Sequence, residues 1–169
     1  MTTTPDEHKV DAPRRIRCAV ITLSDTRTLE TDTGGQTIVD RLTEVGHEVV
    51  HREIIPDDPT LLRPLLERFR DAANLDCVLL TGGTGISARD QTFETVSGLL
   101  TRSLPGYGEL FRMLSYQEIG AAAMLSRATG GLMGNTLLLT MPGSRAAVCL
   151  AMDRVILPEL GHLIREARR

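Results

Sequence analysis

Apolar positions along this 169-residue chain follow two rhythms, short β-branched runs and longer stretches with helical spacing. Residues 16–23 form an unbroken apolar run and predict a strand buried on both faces. Thr33-Gly-Gly-Gln opens a helix in which Ile38, Leu42 and Val45 recur at i, i+4 and i+7 before Gly46 stops it. Residues 47–55 predict a second strand, closed by Pro56. Asp58 or Thr60 then caps a helix with Leu61, Leu62, Leu65, Leu66 and Phe69 on its core face. Pro64 fits that helix only if it starts late enough to place the proline in its first turn. Residues 76–81 predict a third strand, and helical spacing resumes at Gln91 with Phe93, Val96, Leu99 and Leu100. Residues 105–117 and 119–125 predict two short helices. Residues 128–133 and 136–141 predict a hairpin turning at Gly134-Asn135, and a long helix from Arg145 kinks near Pro158. Strand alternating with helix defines an α/β class, a mostly parallel open sheet with helices on both faces (three layers, α/β/α) plus a small β-hairpin.

Composition narrows the setting. The length suits a single domain over residues 16–169, and the polar residues 1–15 read as a disordered tail without a signal-peptide core. No apolar run approaches membrane-spanning length. A net charge of −3 with scattered arginines leaves no electrostatic footprint for nucleic acid. Cys18, Cys77 and Cys149 lie in apolar segments without metal-ligand spacing, as buried thiols in a reducing cytoplasm do. With two Tyr, three Phe and no Trp, the core is left to aliphatic packing. Ile119-Gly-Ala-Ala-Ala-Met-Leu125 is small and apolar, suited to close helix contacts within the domain or between subunits.

The chemistry concentrates where the third strand stops. Thr81-Gly-Gly-Thr-Gly85 joins a buried strand to a helix, the geometry in which backbone N–H groups converge on an anion. Gly82, Gly83 and Gly85 admit positive φ and leave no Cβ in a ligand's way. Asp90 stands at the helix mouth, where it either caps the helix or holds a cation beside a bound phosphate. A P-loop is excluded because the only lysine is Lys9, and a dinucleotide fingerprint belongs after the first strand, not the third. Ligands of such sheets bind beyond the carboxyl ends of the strands. Ser24-Asp25, Asp57, Thr81 to Gly85 and Pro142-Gly143-Ser144 all end strands and should converge there. Each alone also reads as a cap or a turn, Asp57 and Ser144 as readily as ligand contacts.

Thr22-Leu-Ser-Asp25, Ile55-Pro-Asp57, Leu80-Thr-Gly-Gly-Thr-Gly85 with Arg89-Asp90, Pro105-Gly106, Leu125-Ser-Arg127 and Met141-Pro-Gly-Ser144 follow one another in register. In this order they resemble the MoaB/Mog family of molybdenum-cofactor biosynthesis proteins, which includes gephyrin-type G domains. The resemblance covers nearly the whole chain beyond its first 15 residues, and residues 116–128 look closer to the MoaB branch.

That resemblance implies a molybdopterin-binding fold and a reaction, transfer of an adenylyl group from ATP to the terminal phosphate of molybdopterin with release of pyrophosphate. A phosphate monoester is already a nucleophile, and none of His8, His47, His51 and His162 falls in a candidate loop. The need is charge neutralisation and in-line positioning. Asp57 and Asp90, matching acidic positions of the family motifs, are the expected catalytic pair and would hold Mg²⁺ bridging the ATP phosphates. Ser24 and Ser144 would supply hydroxyl donors, with Asp25 beside Ser24 and Thr81, Thr84 and the loop glycines around the phosphate. Residues 105–112, including Pro105 and Gly106, are expected to line the pterin pocket, with Glu109 facing pterin nitrogens. Arg89 either neutralises phosphate or is solvated, and the second is favoured. A non-catalytic molybdopterin carrier is the alternative, and a nucleotide-binding regulator leaves Gly143-Ser144 and Pro105-Gly106 unexplained. Relatives imply a homotrimer or hexamer, and the pathway implies a downstream molybdate-inserting partner.

Overall fold

The computed structural model describes residues 13, 15–70 and 72–169, so nearly all of the expected N-terminal tail lies outside the described residues. Its strands are β1 (Arg17–Leu23), β2 (Glu48–Ile55), β3 (Cys77–Thr81), β4 (Arg102–Ser103), β5 (Gly130–Met133) and β6 (Thr136–Met141). They form one six-stranded sheet in the order β2-β1-β3-β6-β5-β4. The first four strands of that order are parallel. The β5–β6 hairpin and the two-residue β4 at its edge are antiparallel, and β4 was not predicted.

Alternation along the buried strands serves two cores. Cys18, Val20, Cys77, Leu79, Leu137 and Leu139 pack on one face with Ile38 and Leu42 of α1 (Thr33–Glu44) and with Tyr107 and Phe111 of α4 (Pro105–Ile119). The C-terminal helical stretch covers the same face through Val148, Met152, Ile156, Leu160 and Ile164. Ala19, Ile21, Val78, Leu80 and Leu138 face the other way. They meet Leu62, Leu65, Leu66 and Phe69 of α2 (Pro59–Phe69) and Val96 of α3 (Thr92–Ser97). The layers are those expected of α/β, helices on both faces of a mostly parallel sheet.

The helices differ from expectation in four places. Val45 is the C-cap of α1 and Leu61 begins the solvent side of α2, so both are exposed rather than core. The buried stripe of α2 is set by Leu62, Leu65, Leu66 and Phe69 at helical spacing, which leaves Leu61 a hundred-degree step away. Pro64 lies inside α2, because Asp58 caps it early by accepting from the Thr60 N–H at 2.8 Å. Four buried side chains offset the hydrogen bond the proline removes. Residues 105–119 make one helix of 15 residues, ended by Gly120 at φ 64° and followed by a 3₁₀ turn, Gly120–Leu125. The C-terminal stretch is α5 (Arg145–Ala151), a π segment (Met152–Ile156) and α6 (Leu157–Ala167). Pro158, lacking an N–H, is the second residue of α6, so the expected kink takes the form of a π segment just before that helix.

At the amino edge of the sheet Asp76 is 6 % exposed and accepts from Arg17 N at 2.9 Å, Arg17 Nη2 at 2.8 Å and Arg168 Nη2 at 2.7 Å. Burial alone would raise its carboxyl, but these donors overrule burial and hold the pKa at about 2. The opposite, carboxyl edge is tied by Ser24 N to Ile55 O at 2.9 Å, Gly82 N to Met141 O at 3.0 Å and Thr81 Oγ1 to Pro142 O at 3.1 Å. These bonds draw the ends of β1, β2, β3 and β6 into one rim. No helix among the described residues is long and apolar enough to cross a membrane.

Candidate functional site

The rim is built around the glycine loop after β3. Gly82 adopts φ 106°, and a Cβ there would lie 2.4 Å from the Leu23 carbonyl oxygen. Gly83 adopts φ 62°, and its Cβ would lie 2.2 Å from Thr92 Oγ1 and 2.8 Å from both carboxylate oxygens of Asp57. Only glycine combines that backbone with that proximity. At Gly85 the constraint is space alone, since a Cβ would come within 2.7 Å of Asp90 Oδ2. Two carboxylates thus close on the loop, one from before it in the sequence and one from after it.

Neither carboxylate caps a helix. Asp58 takes the cap of α2, which frees the Asp57 side chain toward Gly83. Asp90 Oδ2 accepts from Ser87 N at 2.9 Å, while the cap position of α3 is Gln91, which makes no side-chain cap bond. The cap reading of Asp90 is therefore set aside. Burial, then the nearby charges of Asp90 and Asp25, push the Asp57 carboxyl above its ordinary range, with Arg89 acting the other way. The Ser87 hydrogen bonds hold Asp90 below its ordinary range, so Asp90 carries the charge more firmly of the two. Asp25 links the parts, accepting from Asp57 N at 3.4 Å and pairing with Arg89. Arg89, expected as a solvated arginine, is exposed but anchored in that pair.

The glycine loop and Asp90 border a cleft of about 380 Å³ whose lining also includes Pro142, Gly143 and Ser144, while Asp57, Asp25 and Arg89 stand outside that lining. Its apolar wall comes from Phe111, Ile119, Ala122, Ala123 and Leu125, with Ser115 as a polar contact. Pro105, Gly106 and Glu109 do not line it; of residues 105–112 only Phe111 does, because helical rotation turns exposed Glu109 to solvent. Ser24 Oγ accepts from Thr26 N at 3.3 Å and Arg27 N at 3.2 Å, closing the turn after β1. Ser144 caps α5 by accepting from Ala147 N at 3.2 Å, yet its hydroxyl borders the cleft and keeps its proton to donate. Thr81 is fully buried and spends its hydroxyl on Pro142 O, so it braces the loop.

Three contributors lay beyond sequence reasoning. Arg127 donates from Nε to Gly85 O at 2.6 Å, from Nη2 to Asp90 O and from Nη1 to Glu94, with its guanidinium 5.4 Å over the Phe93 ring. It ties back two carbonyls of the loop. In the sequence Arg127 is marked only by the Leu125-Ser-Arg127 motif, which assigns it no role. Asp32, 1 % exposed, caps α1 through Gly35 N at 2.9 Å and receives the Thr22 hydroxyl at 2.7 Å. Thr92, 1 % exposed, has a hydroxyl with no hydrogen-bond partner. No group of three or more His, Cys, Asp or Glu among the described residues can hold a metal unaided. Asp57 and Asp90 suit instead a Mg²⁺ that arrives on phosphates, which needs only one or two carboxylates from the protein.

An open α/β sheet thus carries a glycine loop and two carboxylates at its carboxyl rim, where ligands of such sheets bind. Residues 19–162 match the family described as "Probable molybdopterin binding domain", and the chain belongs to that family. Molybdenum cofactor biosynthesis protein B of Bacillus subtilis is 50 % identical over 165 residues, 96 % of each chain. Its namesake in Bacillus cereus is 49 % identical over 164 residues, 96 % of this chain and 97 % of the other. A crystal structure of a molybdenum cofactor biosynthesis protein B superposes with a TM-score of 0.90 at 49 % identity, covering 94 % of this chain and 99 % of that one. The tungsten cofactor synthesizing protein MoaB from Pyrococcus furiosus superposes with a TM-score of 0.81 at 36 % identity, covering 94 % and 100 %.

Proposed function

We propose that this protein acts in molybdenum-cofactor biosynthesis, binding molybdopterin and adenylylating its terminal phosphate with Mg-ATP. The observation that carries the reading is the pair Asp57 and Asp90, set against Gly83 and Gly85 of a loop that, with Asp90, lines a cleft with one polar and one apolar wall. The Gly82 N–H is spent on Met141 O, so the loop's N–H donors to a phosphate come from the residues after Gly82, while Arg127 ties back the loop carbonyls of Gly85 and Asp90. The apolar wall of Phe111, Ile119 and Ala123 suits a flat heterocycle, and Ser144 offers a hydroxyl donor. Mg²⁺ brought with ATP would neutralise phosphate charge between Asp57 and Asp90. A terminal phosphate oxygen of molybdopterin then attacks the α-phosphorus of ATP, the α–β bridging P–O bond breaks, and pyrophosphate leaves with the electron pair. No protein base is needed, because the nucleophile is already anionic.

A carrier that holds molybdopterin without transferring anything is the second reading. The carboxylate pair favours the enzyme, because a binder gains nothing from two acids beside a phosphate cradle. Incubation with molybdopterin, Mg²⁺ and α-labelled ATP should yield labelled pterin and one pyrophosphate per label. Tight molybdopterin binding with no label transfer would sink the enzyme reading and leave the carrier.

The same reading includes self-association as a homotrimer or hexamer and hand-over to a molybdate-inserting partner. Support for association comes from exposed Leu110, Met113, Tyr116, Ile119, Met124 and Leu125, gathered on α4 and the turn after it. Such a concentration of exposed apolar side chains marks a contact surface.

A further inference from the structure

Among the described residues, the Thr92 hydroxyl is the one buried hydroxyl without a hydrogen-bond partner. The residue is 1 % exposed and starts α3, where its backbone N–H donates to Gly83 O at 3.3 Å. An unpaired buried hydroxyl destabilises a fold, and valine would fill the same space without that cost. Thr92 is thus poorly chosen for stability alone. Its surroundings show what else it can serve. The position a Gly83 Cβ would occupy is 2.2 Å from Thr92 Oγ1 and 2.8 Å from each Asp57 carboxylate oxygen. Hydroxyl and carboxylate therefore both lie against the open side of Gly83, within 2.2 and 2.8 Å of one point, with no hydrogen bond between them.

We propose that Thr92 is the positioning residue of Asp57, its hydroxyl donating to one carboxylate oxygen when the other turns to a cation carried on the phosphate in the glycine cradle. The inference rests on the phosphate-cradle reading of that loop. A carboxylate that engages a ligand through one oxygen is oriented by a donor on its second, and such outer donors tune affinity. Gly83 keeps the path between the two side chains open, and any Cβ there would block it. Donation to Asp57 in the filled cradle gives the buried, unpartnered Thr92 hydroxyl its role.

The test compares Thr92→Val and Thr92→Ser with the parent, using Mg²⁺ with inorganic pyrophosphate in titration calorimetry and thermal unfolding without ligand. Thr92→Val should melt at the parent's temperature or above it, yet bind Mg²⁺-pyrophosphate about tenfold more weakly or worse. Thr92→Ser, which keeps the hydroxyl, should recover most of the affinity. A Thr92→Val protein that binds as tightly as the parent overturns the assignment. So does one that melts well below it with unchanged affinity, since the hydroxyl would then be structural. A parent that binds Mg²⁺-pyrophosphate but transfers no adenylyl group would sink the proposed reaction and leave Thr92 judged by its own two readouts.

Discussion

Alanine at Gly83 separates backbone strain from contact with the candidate site, provided Gly46 is used as its control. Both glycines adopt left-handed φ, 62° at Gly83 and 86° at Gly46. A Cβ at Gly46 meets nothing within 4 Å, whereas at Gly83 it falls 2.2 Å from Thr92 Oγ1 and 2.8 Å from both Asp57 oxygens. Gly46→Ala therefore reports the backbone term alone, about 1–2 kcal/mol. Gly83→Ala adds overpacking of about 1–3 kcal/mol, so its total is about 2–5 kcal/mol. At about 3 °C per kcal/mol for a chain of this size, melting should fall by about 3–6 °C and about 6–15 °C respectively. A native stability of about 5–15 kcal/mol keeps both variants folded. Scanning calorimetry gives the two melting temperatures, and titration with Mg²⁺-pyrophosphate gives affinity. Gly46→Ala should bind like the parent, while Gly83→Ala displaces Asp57 and should bind at least about tenfold more weakly. Equal melting losses would show that the crowding at Gly83 is relieved cheaply. Undiminished affinity in Gly83→Ala would remove the loop from the site.

Asp90→Asn keeps the side chain's shape and its acceptor for Ser87 N–H, so it should fold normally and lose adenylyl transfer; unchanged turnover in label-transfer assays would return Asp90 to a purely structural role. Arg127→Met should release the carbonyls of Gly85 and Asp90, cost about 1–3 kcal/mol and speed amide exchange over residues 83–90; unaltered exchange there would deny Arg127 its hold on the loop. Asp76 is held at about 2 against an ordinary 3.8, which makes it a stabilising group above pH 4 whose contribution fades as pH falls toward 2. Acid titration of stability should therefore show a loss of about 2 kcal/mol in that window, absent in Asp76→Asn; identical acid profiles would count against the network. Ile119→Asp should convert an oligomer to monomers in light scattering with the circular dichroism unchanged, and an assembly that survives would exonerate this face.

Much of this protein is determined locally. The run from Cys77 to Thr81 can only be a strand buried on two sides, and the glycines after it can only be a turn, because those facts depend on side-chain size and backbone freedom at each residue. The α/β class, the β5–β6 hairpin at Gly134 and the family motifs follow from the same short-range signals. What the chain could not state on its own was which polar groups are free. Asp57 and Asp58 are adjacent carboxylates, and only the packed structure makes Asp58 the helix cap and turns Asp57 toward Gly83. Glu109 falls outside the cleft while Ser115 and Ile119 line it, because α4 runs unbroken to Ile119 and its rotation selects the inward face. Arg127 reaches Gly85 across 42 positions of sequence, and Thr92 is unpaired only because tertiary packing buries it beneath Gly83. Local propensity fixes backbone shape; the partner of a polar side chain is decided by what the rest of the fold brings within hydrogen-bonding distance.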